Sequence, residues 1–350
     1  MVNVLITGGG GFLGARLARE ILAAGSLAVA GGDPVPLSRL TLVDRVPVPG
    51  DLAAGERVTQ ITGDLTDLLD PARIGAAGPA AGGPGAGGSA TAQDALARAD
   101  VVFHLAAAVS GECEADFDLG IRANMRATEA LLASCRAHGT RPVVVFASSL
   151  AVFGGSPDHP LPDPVEDQTL PNPQTSYGAQ KVIGEQLLAD YTRKGFLRGR
   201  ALRLMTVSVR PGKPNAAASG FLSGIIREPM AGQRAVCPVE PETEAALASP
   251  AKTIEGLLRA AGAAEEDWGG RSAVTLPALT VSVAAMVDAL EEVAGRQARD
   301  LIDWKPDPVV ARMVASWPVR VRSGRAARLG LTPDPDFASI VRAHQAETRP

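Results

Sequence analysis

Tyr177 and Lys181 stand four residues apart in Ser176-Tyr177-Gly178-Ala179-Gln180-Lys181, where apolar spacing predicts a helix running to Tyr191. Residues at that spacing share a helix face, so the phenol and the ammonium project together. A free phenol titrates near pKa 10, and a general base working at neutral pH must sit about three units lower. Neighbouring cations are what lower it, and Lys181 is expected to supply one. The chain has only two tyrosines, and the second, Tyr191, is followed by a lysine one position too early for the same pattern. Ser149 closes the apolar run Pro142-Val143-Val144-Val145-Phe146-Ala147-Ser148-Ser149. Its hydroxyl is suited to hold a substrate hydroxyl and to donate to a carbonyl as it forms.

A base of this kind needs an acceptor for the electrons, and the first residues provide a place for one. Ile6-Thr7-Gly8-Gly9-Gly10-Gly11-Phe12-Leu13-Gly14 lies between a short apolar run, Val2 to Ile6, and a helical pattern from Leu13 to Ala24. Gly8 permits the tight turn, Gly11 lets backbone approach a pyrophosphate, and Gly14 lets helix and strand pack closely. Free amides at the helix start, around Phe12 and Leu13, face the anion. The next strand, Arg39 to Asp44, ends in a carboxylate that would accept from ribose hydroxyls and repel a 2′-phosphate, which favours NAD, although Arg45 offsets part of that repulsion. A loop over 25–38 is expected before it. The strand Val58 to Leu65 brings Asp64 and Leu65 toward an adenine. The strand Asp100 to Ala107 ends in Leu105-Ala106-Ala107, small enough for a cofactor to lie close, while His104 reads as a packed strand-end residue.

These groups require a scaffold that delivers them to one edge. Strands alternating with helices after a phosphate turn imply an α/β fold, a doubly wound parallel Rossmann sheet with ligands at the strands' carboxyl ends. Asp116 to Ala137 reads as a long helix carrying Asn124. Residues 75–92, almost wholly Gly, Ala, Pro, Ser and Thr, read as a flexible surface insertion. The dinucleotide domain is placed at 1–205, with a mainly substrate-binding domain at 206–350 that returns some segments to the first. Residues 236–250 read as a surface connection; Ser249 and Ser282 mark helix starts, and Trp304 and Trp317 core or lid packing.

With 350 residues, 46% apolar and 21% charged, and a net charge of -4, the chain reads as a globular binder of small molecules rather than of nucleic acid or membrane. Its three cysteines suggest neither a disulfide framework nor a zinc site, no metal is expected, and a reducing cytoplasm fits best. No apolar run approaches the roughly 20 residues that cross a bilayer.

Taken in order, Gly8-x-x-Gly11-x-x-Gly14, Asp44, Asp64, His104-Leu105-Ala106-Ala107, Asn124, Ser149 and Tyr177-x-x-x-Lys181 resemble the extended short-chain dehydrogenase/reductase family over roughly the first half of the chain. The resemblance implies an NAD-binding domain, a catalytic set of Ser149, Tyr177 and Lys181 with Asn124 aiding a proton relay, and a homodimer formed through the helices around Asn124 and after Tyr177. Most such members are similar to nucleotide-sugar epimerases and dehydratases. The loop Arg210 to Phe221, Trp304-Lys305-Pro306-Asp307-Pro308 and Leu329-Gly330-Leu331 depart from that pattern and resemble the branch acting on small sugar acids. This implies NAD-dependent oxidation of the C2 hydroxyl of a four-carbon acid such as D-erythronate to the 2-keto acid. Arg210 would then bind the carboxylate, Asn215 and Ser219 the hydroxyls, and Ser110 would add a contact. A nucleotide-sugar epimerase or dehydratase and a non-catalytic dinucleotide-binding regulator are the alternatives.

Overall fold

The computed structural model describes residues 1–70, 91–212 and 219–348. In chain order the strands are β1 (Val2–Thr7), β2 (Ser26–Leu27), β3 (Val35–Asp44), β4 (Val58–Thr62), β5 (Val101–His104), β6 (Val143–Ser149), β7 (Val165–Glu166), β8 (Arg198–Leu204), β9 (Thr206–Val207), β10 (Ala235–Cys237), β11 (Glu244–Ala248), β12 (Val274–Thr275), β13 (Leu279–Ser282), β14 (Ile302–Trp304) and β15 (Val321–Arg322). Seven of them form a parallel sheet in the order β4-β3-β1-β5-β6-β8-β12, with β2 antiparallel against the start of β3. The chain builds outward from β1 through β3 and β4, then returns to add β5 on the other side. Strand order therefore reverses between β1 and β5, which opens a crevice at their carboxyl ends.

Central strands in such a sheet are covered on both faces, which explains their unbroken apolar runs. Ile6, Leu17, Ile21, Leu257 and Trp268 fill one face, and Leu5, Val102, Leu131, Phe146 and Leu188 the other. The helix Phe12–Ala24 ends at Gly25 in the left-handed conformation. The long helix expected from 116 holds, with Asp116 accepting the Leu119 N–H at its start, but it is not uniform. A π-helical turn, Ile121–Arg126, interrupts it and contains Asn124.

Three local expectations change. Residues 26–27 and 35–37, expected in a loop, pair as a short hairpin that buries Leu27 and Leu37. The insertion read over 75–92 falls mostly outside the described residues. Its described end is structured, because Thr91 and Asp94 form a reciprocal cap for the helix Ala92–Ala97 and Ala92 is buried. The surface connection read over 236–250 contains β11, whose Ala245, Ala246, Leu247 and Ala248 are buried between β9 and β13. Small side chains gave that run little apolar signal, and packing against two neighbours suits them.

A second core is assembled from Leu222, Ile225, Leu247, Met286, Leu290 and Val341, contributed by segments scattered from the helix Phe221–Met230 to the last helix. Ser249 and Ser282 cap the helices Pro250–Gly262 and Val283–Ala294 as their positions imply. β12 and the helix Pro250–Gly262 return to the parallel sheet and its core. Trp317 packs against both cores, whereas Trp304 is 40% exposed and is not a core residue.

Candidate active site

The crevice holds a cavity of about 360 Å³ lined by the first turn, the ends of β5 and β6, the helix of Tyr177 and the segment after β8. Gly8, Gly11, Phe12, Leu13 and Gly14 all reach it. Gly11 caps the first helix without any side-chain bond, so the amides of the opening turn have no acceptor within the helix. A side chain at Gly14 would place its Cβ 2.0 Å from the Gly8 carbonyl oxygen. This bare, close-packed turn fits a pyrophosphate. Leu105 and Ala107 line the cavity, and Ala106 instead donates its N–H to Thr7 Oγ1 at 3.3 Å.

The two strand-end acids are less free than expected. Asp44 accepts from the amides of Gly10 at 2.9 Å and Val46 at 3.2 Å, and so ties the glycine turn to β3. Asp64 caps the helix Leu65–Leu68, accepting from the amide and hydroxyl of Thr66, and pairs with Arg122 at 3.2 Å. Its burial is outweighed by these bonds and by Arg122, which hold the carboxyl below its usual range. Asp44, Asp64 and Leu65 lie outside the cavity lining.

Ser149, Tyr177 and Lys181 do converge. Thr175 caps their helix by accepting from Gly178 N–H. A Cβ on Gly178 would meet the Ala151 carbonyl oxygen at 2.1 Å, so glycine lets the helix press against the end of β6. Tyr177 and Ser149 line the same cavity, near enough for the serine hydroxyl to act on the phenol, and Ser149 Oγ accepts the Ala151 N–H at 3.1 Å. Lys181 Nζ donates to the Ala147 carbonyl at 2.8 Å and lies 5.5 Å from the centre of the Tyr177 ring.

The electrostatics correct the simplest expectation. Enclosure pushes the Tyr177 phenol up to about 12, against the opposing effects of the Ser149 hydroxyl and the charge of Arg210. Burial pushes Lys181 down to about 8. In the chain by itself the phenol is thus raised rather than lowered, because desolvation disfavours its anion more than the nearby groups favour it. The side-chain cation acting to lower it is Arg210. Lys181 is committed to a backbone carbonyl.

Arg210 lines the cavity with Ser219, to whose Oγ its Nη2 donates at 3.2 Å, and it forms no ion pair among the described residues. Burial and the charge of Arg227 lower its pKa. Ser110 is also in the wall, and Asn215 falls outside the described residues. Asn124 takes a different place from the one expected. Its amide holds both the N–H and the C=O of Ala108 and bonds Cys113 Sγ and Gln180 Oε1, and the residue is absent from the cavity wall. It fastens the loop after β5 to the π-helical turn. His104 is packed, as expected. Burial lowers it to about 3, and it bridges Thr7 and Thr128 at 2.7 and 2.9 Å.

Sequence reasoning missed Glu114, Thr175, Thr206 and Met313, all in the wall. Glu114 was detectable, since it follows Ser110 by one helical turn. Met313 was not, because it comes from the helix Pro308–Ala315, whose approach to the cavity only the second core dictates. No group of three or more His, Cys, Asp or Glu among the described residues could hold a metal ion.

A glycine turn at the switch point of a parallel sheet, facing a Ser/Tyr/Lys set, defines an NAD-dependent enzyme of the extended short-chain dehydrogenase/reductase class. Residues 87–243 match the NAD dependent epimerase/dehydratase family. The chain is 47% identical over 346 residues to the D-erythronate dehydrogenase of Cupriavidus necator, covering 99% of this chain and 98% of that one. It is 36% identical over 341 residues to the D-erythronate dehydrogenase of Haemophilus influenzae, covering 97% and 98%. The chain belongs to this family. Its structure resembles that of the nucleoside-diphosphate-sugar epimerase from Agrobacterium tumefaciens with a TM-score of 0.83 at 38% identity, covering 99% of this chain and 94% of the other.

Proposed function

We propose that the protein oxidises the C2 hydroxyl of D-erythronate to 2-dehydro-D-erythronate with NAD. The observation that carries this reading is Arg210, a cation in the cavity wall with no carboxylate partner among the described residues, close enough to Tyr177 for its charge to act on the phenol. A carboxylate substrate completes that arrangement, and Arg is the side chain that holds one by two bonds. The similarity to two D-erythronate dehydrogenases over nearly the whole chain supports the same substrate.

In this reading bound NAD would supply the acceptor for the hydride leaving C2. Gly8, Gly11, Phe12, Leu13 and Gly14 would hold its pyrophosphate, Asp44 would select its ribose, Asp64 and Leu65 would border the adenine, and Leu105, Ala106 and Ala107 would form the floor beside it. Ser149 donates to the substrate oxygen and keeps C2 in place. Tyr177 removes the hydroxyl proton as the carbonyl forms. Lys181, held on Ala147, keeps the helix turn of Tyr177 against β6 and contributes positive charge nearby. Arg210 binds the carboxylate, and Ser219, Ser110 and Asn215 read hydroxyls. Asn124 serves this set by fixing the loop at Ala108. The division into a dinucleotide domain over 1–205 and a mainly substrate-binding domain over 206–350 belongs to the same proposal, as do a homodimer and a cytoplasmic location. Among the described residues no helix is long and apolar enough to cross a membrane.

The epimerase reading rests on the Agrobacterium structure. Both are tested by supplying NAD with four- to six-carbon aldonates, uronates and nucleotide sugars and following NADH absorbance. Accumulation of NADH with D-erythronate is the expected result. A converted nucleotide sugar with no net NADH would replace the proposal by the epimerase.

A further inference from the structure

Arg210 is one charge in the cavity wall, and there is a second. Glu114 follows Ser110 by four residues on the helix Ser110–Ala115, and both side chains line the cavity with Gly111 between them in sequence. One carboxylate oxygen, Oε1, accepts the N–H of Ser176 at 2.7 Å, which anchors Glu114 to the residue before Tyr177. Among the described residues that is the one hydrogen bond the carboxylate makes, and it forms no ion pair there. The residue is exposed, and its second oxygen accepts from no protein group among the described residues. Tyr177 lines the same cavity as both charges, and Glu114 is bonded to the residue before it.

We propose that Glu114 is a substrate-recognition residue that accepts hydrogen bonds from the C3 and C4 hydroxyls of the sugar acid and, together with Arg210, sets the direction in which the acid enters. The proposal rests on the sugar-acid reading above. An ionised carboxylate accepts from hydroxyls and has no proton to donate, so it welcomes the polyhydroxy end of an aldonate. It repels the carboxylate end, which the guanidinium attracts. A short chain with a carboxylate at one end and hydroxyls along the rest is then held in one orientation. An acid lacking the distal hydroxyls keeps the Arg210 contact and leaves the carboxylate of Glu114 without the partners it would have had.

The test uses Glu114→Gln, whose amide oxygen can still accept from Ser176 and so keeps the anchor while removing the charge. KM for D-erythronate and the inhibition constant of (R)-2-hydroxybutanoate, which lacks the C3 and C4 hydroxyls, are measured for wild type and variant with saturating NAD. The loss of charge-assisted bonds is expected to raise KM about tenfold and to move the inhibition constant less than twofold. Equal changes in the two constants, or none, would overturn the proposal. If D-erythronate yields no NADH with the wild-type enzyme, the substrate reading fails on its own. Calorimetry of the same two acids on the enzyme–NADH complex then still shows whether Glu114 distinguishes them, and equal losses there count against it.

Discussion

The two ends of the cavity are built from different materials. At the end proposed for the dinucleotide the wall is the backbone of one contiguous turn between Gly8 and Gly14, and its placement follows from a strand, a tight turn and a helix that are neighbours in sequence. At the end proposed for the chemistry the wall is made of residues from positions as far apart as Glu114, Ser149, Tyr177, Arg210 and Met313. Amides carry partial charges that burial does not neutralise. Ionisable side chains respond to burial, and here Tyr177 rises to about 12 while Lys181 falls to about 8. The first region is poised by geometry alone, and the second depends on how enclosure and neighbouring charges balance.

If that contrast is right, the largest single effect comes from Tyr177→Phe. Loss of a general base is expected to lower kcat by about a thousandfold, with the Kd for NAD, read by fluorescence titration, within about twofold of wild type. Retained turnover would remove Tyr177 from the chemistry. At the other end Gly14→Ala, whose Cβ would lie 2.0 Å from the Gly8 oxygen, is expected to raise the Kd for NAD by about a hundredfold. Unchanged affinity would mean that the turn can yield, contrary to a rigid cradle.

Arg210→Ala is expected to raise KM for D-erythronate about thirtyfold, as a charge-assisted contact is lost, and to leave the Kd for NAD as it was. A fall in thermal stability with no change in KM would make the residue structural. Asp44→Ala is expected to reduce the preference for NAD over NADP about tenfold, measured as a ratio of kcat/KM values. An unaltered ratio would confine Asp44 to its bonds with Gly10 and Val46.

The last effect is on stability rather than on turnover or affinity. Lys181 is lowered from 10.5 to about 8 by burial, so between those values the unfolded chain binds a proton that the folded chain does not. Stability of the wild type therefore rises with pH across that window, by about 3 kcal/mol for this group alone, and is lowest below pH 8. Lys181→Met is expected to be more stable than wild type at pH 7, with the gain shrinking toward pH 10.5. Denaturant melts at several pH values measure this, and a gain independent of pH would show that the ammonium bears no burial cost.

Local signals carried much of this site. The strand–turn–helix at Gly8 to Gly14, the caps at Ser249 and Ser282, and the shared helix face of Tyr177 and Lys181 each depend on residues within a few positions of one another. Where the reading failed, the deciding partner was distant. β11 looked like a connection because its alanines say little until β9 and β13 flank them. The partners of the Asn124 amide, the Ala108 backbone and Gln180, are likewise distant in sequence, and its part in a proton relay is untested by them. Glu114 was passed over although a local signal, its place one helical turn after Ser110, was there to be read.

By its order of residues alone, this chain determined a doubly wound sheet, a glycine turn between the first strand and the first helix, and a serine, tyrosine and lysine brought to the ends of adjacent elements, since helix periodicity, strand burial and turn chemistry are properties of short segments. Only the tertiary structure decided which way the phenol and ammonium titrate, that Arg210 shares a cavity with Tyr177, and that the Asn124 side chain bonds a loop and lies outside the cavity wall. Desolvation and charge interactions depend on everything packed around a group, and distant parts of the chain supply most of that surrounding.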